Sequence, residues 1–184
     1  MKKPTRYNDN FITAKPKSEK ISRYISYYYF HKSEDENYHK NFIFYPNYKH
    51  ALTVYKDSKI TLKDNESVVN PSGKIDIRPL YTINKDKNMK VSMKGRFNKI
   101  GIVFNPLGIN HFIEKPLQEV FTDNFGFFPY FGDNFTQVIE QVFSEKEVSK
   151  KVLFLDEFFE QKYISFNELV LKRTIGKLLF PTEL

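Results

Sequence analysis

Met89-Lys90-Val91-Ser92-Met93-Lys94-Gly95-Arg96-Phe97-Asn98-Lys99-Ile100-Gly101-Ile102-Val103-Phe104 is the stretch on which the fold reading turns. From Met89 to Lys94 apolar and polar residues alternate. Successive strand side chains point to opposite faces, so this alternation predicts a half-buried strand. After the turn-like Gly95, Ile100, Ile102 and Phe104 share one face of a second strand. The two strands read as a hairpin with a loop longer than the tightest turn. Immediately afterwards the apolar period lengthens towards 3.6. Pro106 opens a short helix through His111 and Phe112, because proline suits a first helical turn, and Pro116 ends it. The chain therefore changes character near its middle, from strands to helices.

Working outward, the segments before this point are short, β-rich and broken by Asn, Asp, Gly and Pro. Strands are expected at 24–31 (YISYYYFH), 41–45 (NFIFY), 50–55 (HALTVY), 60–62, 68–69 and 80–83. Many short strands at such spacing suggest a sandwich or a closed barrel. Beyond Pro116 the stretch 124–132 (NFGFFPYFG) has no helical period and reads as an aromatic loop closing one end of that barrel. Asp133 or Asn134 can cap a helix that carries Phe135, Val138, Ile139 and Val142 on one face. Ser144-x-x-Glu147 has the capping-box pattern for a second helix with Val148, Val152, Leu155 and Phe159 on its stripe. Ser165-x-x-Glu168 opens a third, with Leu169, Ile175 and Leu179 apolar.

Composition narrows the functions open to this fold. The 184 residues suit one compact unit, and 17% aromatic content, from 19 Phe and 12 Tyr without Trp, can fill a barrel or line a ligand cavity. There is no cysteine, which removes disulfides, thiolate catalysis and Cys-ligated zinc, and suits a reducing cytoplasm. Met1-Lys2-Lys3 is followed by Pro, Asn and Asp rather than an apolar run, so neither a secretory signal nor a membrane span is expected. The net charge of +7 is spread as single lysines: 12 basic against 6 acidic residues in 1–60, 10 against 6 in 61–120, and 7 against 10 in 121–184. A DNA reader concentrates Arg and Lys on one helix face, whereas here the helical region is the acidic part and there are only five Arg.

Enzyme signatures are missing: no G-x-G-x-x-G, P-loop, G-x-S-x-G or H-E-x-x-H. Metal sites in barrels begin with two histidines a residue or two apart, but among His31, His39, His50 and His111 the nearest pair is eight positions apart. No catalytic set, metal or cofactor is therefore expected. The candidate ligand-contacting residues are Tyr28, Phe30, His50, Met93 and Phe104. His50 is a polar anchor in a cavity, or else a strand residue bonded to backbone. In the run Tyr27-Tyr28-Tyr29-Phe30 only alternate members can share a cavity, and parity leaves Tyr27/Tyr29 open beside Tyr28/Phe30.

Three phrases together resemble one family: Tyr45-Pro46-Asn47-x-x-His50-x-Leu52-x-Val54-Tyr55; Lys99 to Ile109 with Phe112 and Pro116-Leu117-x-Glu119; and Gly132-Asp133 leading into paired helices to Gln161. Across roughly residues 20–180 the chain is similar to the N-terminal effector domain of AraC-family transcription regulators, in a form frequent in Bacteroidetes. The phrases are packing and turn residues rather than a catalytic signature. The resemblance implies an α+β fold, with a cupin-like antiparallel β-barrel sensor over 1–115 and a helical dimerisation and linker region over 116–184. It implies a small-molecule effector, a homodimer through the C-terminal helices, and contact with DNA only through a helix-turn-helix domain beyond this chain. The ending Pro181-Thr182-Glu183-Leu184 resembles an interrupted helix entry, so a fragment of a longer regulator is expected. Two other functions compete: a small cupin-like metal-dependent enzyme, and a barrel that stacks single-stranded nucleic acid on its aromatics.

Overall fold

The fold is described by a computed structural model covering residues 9–165 apart from 47, 75 and 84–86. It is α+β, with strands dominant and helices towards the C-terminus. Among the described residues, ten strands form two sheets. The larger contains β1 (Asp9–Ala14), β2 (Ile25–Ser33), β9 (Phe97–Phe104), β4 (Ala51–Lys56), β7 (Ile77–Thr82) and β10 (Phe125–Phe127), in that order. The smaller contains β3 (His39–Phe44), β8 (Met89–Lys94), β6 (Glu66–Pro71) and β5 (Ser58–Lys63), in that order. All pairings in the larger sheet are antiparallel, whereas β6 runs parallel to β8 in the smaller one. Among the described residues no ladder joins the two sheets into a closed barrel.

The hairpin expected from residues 89–104 is not formed. β8 pairs with β3 and β6, while β9 pairs with β2 and β4. Gly95 and Arg96 carry the chain from one sheet to the other. Gly95 makes this corner in the left-handed region at φ 66°, where an added Cβ would meet the Pro71 ring at 2.7 Å. Periodicity places strands correctly here, but it is blind to which neighbour supplies the hydrogen bonds.

Alternation along the strands sets up three layers. One face of the larger sheet (Tyr28, Phe30, Leu52, Val54, Ile100, Ile102, Phe104) forms a continuous core with residues of the C-terminal helices. The opposite face meets the smaller sheet in a second cluster containing Tyr55, Phe97, Val91 and Met93. β9 is buried on both faces along nearly its whole length, and from Ile100 to Phe104 it accordingly carries no polar side chain.

The helical half differs from expectation at its ends. Pro106 leads into a 3₁₀ turn, Gly108–His111, after Leu107 at φ 62°. A Cβ on Gly108 would sit 2.1 Å from the Tyr24 carbonyl oxygen, so glycine is required for this close approach. α2 (Leu117–Val120) follows, and the expected aromatic loop contains β10, which adds to β7 and completes the larger sheet. The boundary expected at 115/116 is thus crossed by one core, to which Ile100, Phe121, Phe131 and Phe159 all belong.

α3 (Gly132–Ser144) buries Phe135, Ile139 and Val142, as its stripe predicts, but Asp133 and Asn134 lie inside its first turn rather than capping it. The capping box at Ser144 is also absent. Ser144 ends α3 and its hydroxyl bonds back to the Glu140 carbonyl at 2.9 Å. Glu145 instead accepts from the backbone N–H groups of Lys146 and Glu147 at 2.6 and 2.8 Å, just before α4 (Val148–Lys162). The third expected helix lies outside the described residues, apart from its first residue, Ser165.

Asp156 of α4, only 3% exposed, joins this helix to the rest. Its carboxylate accepts from the Lys17 and Ser18 backbone N–H groups at 2.7 and 2.9 Å and from the Tyr28 hydroxyl at 2.8 Å. Ser18 also caps α1 (Glu19–Ser22) by accepting from Ile21 N–H at 3.3 Å. Tyr28→Phe is expected to lower unfolding free energy by about 1–3 kcal/mol, since it leaves a buried acceptor short of one donor. Asp156→Ala should cost more because three donors lose their partner. Urea unfolding of the two variants checks both the size and the order.

Candidate ligand cavity

A cavity of about 530 Å³ lies between the sheets. Its walls follow from strand parity. On β2 the cavity face is Tyr27, Tyr29 and His31; on β4 it is Ala51, Thr53 and Tyr55; on β9 it is Lys99 and Val103. The smaller sheet contributes Lys40, Phe42 and Phe44 from β3, Met89 and Val91 from β8, and Ser67 from β6. Phe11, Phe44 and Tyr45 line it yet are 56%, 43% and 67% exposed, so they form its rim beside the edge strands β1 and β3.

Space arises because small residues stand beneath large ones. Gly101 faces the same side as Lys99 and Val103, and a Cβ there would lie 1.8 Å from the Tyr29 ring. The Tyr29 ring thus lies flat across the β9 backbone, and its hydroxyl pairs with Thr53 Oγ1 at 2.8 Å. Lys99, 6% exposed, extends between the sheets until its ammonium stands 5.6–5.9 Å from the ring centres of Tyr29, Phe42, Tyr55 and Phe97. It also donates to Met93 Sδ at 3.5 Å. Cation–π attraction, about 0.5–2 kcal/mol per ring depending on desolvation, helps to hold a charge in this setting.

The expected contact residues are only partly brought together. Tyr28, Phe30 and Phe104 point away from the cavity into the helix-side core, because β2 and β9 present the opposite parity to the smaller sheet. His50 lies on that side as well, with its ring 6.1 Å from Phe121 and its carbonyl accepting from Phe104 N–H at 2.8 Å. Met93 is the one member between the sheets, where it touches Lys99 at the closed side. The alternative parity, Tyr27 and Tyr29, is the one that faces the cavity, together with His31, Thr53, Tyr55 and Lys99, which the sequence pattern does not single out. The available signal was Gly101 and Ala51, small residues at the positions that alternate with the apolar face. Among the described residues, no group of three or more His, Asp or Glu is placed to hold a metal ion.

The chain after α4 returns to the ends of the cavity strands. Ile164 N–H donates to the His111 carbonyl at 2.8 Å, and His111 Nδ1 lies 3.2 Å from the Ile164 carbonyl. Tyr163 stacks on His111 with ring centres 5.5 Å apart, and its hydroxyl is 3.2 Å from that of Tyr24. Tyr24 immediately precedes β2, and His111 follows β9 by one turn.

Compared with protein-family models, curated proteins and solved structures, the chain matches none of them. No helix among the described residues is long and apolar enough to cross a membrane, which leaves strands unaddressed.

Burial pushes the hydroxyls of Tyr28, Tyr29 and Tyr55 above the ordinary tyrosine value of 10.0. Asp156 adds to the rise at Tyr28, whereas the Thr53 bond restrains Tyr29, which is pushed up to about 12. Because the folded values are raised, the stability that these neutral phenols contribute is complete below pH 10.0 and is lost as pH rises through the folded values. Alkaline titration should therefore release the buried tyrosinates together with loss of circular dichroism. Early release with the fold intact would show that the three phenols are not sealed from water.

Proposed function

We propose that the chain is the ligand-sensing and dimerisation part of a cytoplasmic AraC-type transcription regulator, governing a helix-turn-helix module attached to it. The observation that carries this reading is the aromatic cavity between the two sheets, whose volume falls within the roughly 300–1,000 Å³ usual for small-molecule sites. The two sheets of six and four strands, with helices against one face of the larger, support the reading of a strand sandwich that carries a C-terminal helical part. The three phrases quoted above supply the family. DNA is reached through the attached module, not through this chain.

A route from cavity to helices supports a sensing role. β2 exposes Tyr27 and Tyr29 to the cavity on one face and holds Asp156 of α4 through Tyr28 on the other. A ligand that spreads or seals the sheets thereby acts on the seat of α4 and on the Tyr24–His111–Tyr163 cluster at its exit. A ligand can move that equilibrium only by its difference in affinity between the two arrangements. In the dimer, α3 and α4 meet their counterparts, and Leu153, an exposed apolar residue of α4, belongs to that surface.

Light scattering after size exclusion should give twice the chain mass, and a thermal-shift screen of small organic molecules should give stabilising hits. Ala51→Phe, which adds a ring inside the cavity, should abolish those hits while the unliganded protein still unfolds cooperatively. A strict monomer that no small molecule stabilises would overturn the proposal.

A further inference from the structure

The polar groups that line the cavity are not all answered by the protein. The Lys99 ammonium is engaged by four rings and by Met93 Sδ, and that of Lys49 by Ser26 Oγ at 2.9 Å. Tyr55 differs. It lines the cavity and is only 5% exposed, yet among the described residues its hydroxyl has no hydrogen-bond partner. Among those residues no side-chain oxygen that protein encloses completely lacks a bond, so the Tyr55 oxygen keeps an opening on the cavity. Ser67 of β6, also buried, brings a second hydroxyl on the same terms. Tyr29 and Thr53 bond each other, and whichever oxygen donates, the pair keeps one hydroxyl hydrogen that this bond does not use.

Burial pushes the Tyr55 phenol well above the ordinary tyrosine value, and the nearby Tyr29 hydroxyl adds to the rise. At neutral pH the group is therefore a hydrogen-bond donor. A buried donor without an acceptor has lost its bonds to water, and a molecule that brings an acceptor restores one. The surroundings decide the kind of acceptor. Phe42, Leu80, Met89, Val91 and Val103 make much of the wall apolar. An ion placed there would exchange its hydration for neutral hydroxyls, which return far less than it gives up. A molecule with no acceptor fills the space but leaves the phenol as it was. A carbonyl oxygen has two lone pairs, no proton and no charge, which suits an O–H group set in an apolar wall.

We propose that the cavity binds an uncharged, largely aromatic molecule bearing a carbonyl-type acceptor, and that the Tyr55 hydroxyl donates to that acceptor. This rests on the reading of the cavity as a ligand site. Tyr27, Tyr29 and Phe42 flank the body of the ligand, while Ser67 and the Tyr29–Thr53 pair offer donors to a second oxygen.

Equilibrium dialysis of the whole chain against benzophenone, diphenylmethane and diphenylacetate compares a carbonyl, no acceptor and a charged acceptor on one two-ring body. The ketone and the hydrocarbon should both bind, and the anion at least about tenfold more weakly than the ketone. Tyr55→Phe keeps the ring and removes the donor. It should weaken the ketone about three- to tenfold, the contribution of one such bond, and leave the hydrocarbon within about twofold. The carbonyl infrared band of the bound ketone should move to higher wavenumber in the same variant. Without ligand, Tyr55→Phe should unfold at the same urea concentration as the unmodified chain, because no hydrogen bond within the protein is lost. A fall as large as that of Tyr28→Phe would overturn the proposal, since the hydroxyl would then be answered from within. If the anion binds as tightly as the ketone, or Tyr55→Phe weakens the ketone no more than the hydrocarbon, while Ala51→Phe abolishes binding, the acceptor inference falls and the ligand cavity stands. If none of the three binds, the inference falls alone when the thermal-shift screen still gives hits that Ala51→Phe abolishes, and together with the ligand reading when it gives none. Binding that survives Ala51→Phe removes both.

Discussion

The arrangement of this protein depends on burying the larger sheet on both faces. β9 and β4 are central in it, and neither can leave a face in water without exposing a row of apolar or aromatic side chains. The helices cover one face and the smaller sheet covers the other. Burying apolar area contributes roughly 25 cal/mol per Å² but has no direction, so it cannot by itself set how α4 lies on the sheet. Asp156 supplies that direction. Its carboxylate satisfies two backbone donors at the start of α1 and the hydroxyl of Tyr28, so strand, short helix and long helix meet at one buried charge. Lys151, one turn earlier on α4, reaches the Val142 carbonyl near the end of α3 at 2.9 Å and lies 5.2 Å over the Phe30 ring. The Tyr28 bond to Asp156 and the Phe30 contact with Lys151 use the face of β2 that looks away from the cavity.

The two faces of the sheet are packed differently. On the helix side, Phe104, Phe112, Phe131, Phe158 and Phe159 meet largely edge to face at close range. Such contacts follow the ring quadrupole. Between the sheets, Gly101 and Ala51 withdraw side chain from the middle while Tyr29, Phe42 and Tyr55 stand around its edge. A gap bounded by rings and polar tips remains. The asymmetry places a closely packed aromatic layer behind a hollow one, with β2 common to both.

Much of the fold was legible in the sequence because side-chain alternation is a local property. Eight of the ten described strands, β1 and β10 excepted, overlap residues whose pattern marks them as strand, and the stripes of α3 and α4 bury as their 3.6 period requires. The errors are of one physical kind. Strand partners, helix caps and the choice of inward face all depend on what arrives from elsewhere in the chain. Met89 to Phe104 has the look of a hairpin, yet its two halves pair with β3 and β6 on one side and with β2 and β4 on the other. Ser144 has the spacing of a cap, yet it is the last residue of α3, and Glu145 accepts the backbone N–H groups ahead of α4.

The sequence by itself determined that strands precede helices, that aromatic residues dominate the interior, and that no cysteine chemistry takes part. It did not determine which face of β2 holds the cavity. In a strand buried on both sides, either parity offers Tyr or Phe, so local patterning carries no preference. Lys99 shows the same limit most sharply. Beside Ile100 and Ile102 it has the alternation of a solvent-facing residue, and only the smaller sheet laid over β9 turns that position into the charged floor of a cavity. Local chemistry selects the strand; burial is decided by the layer that folds across it.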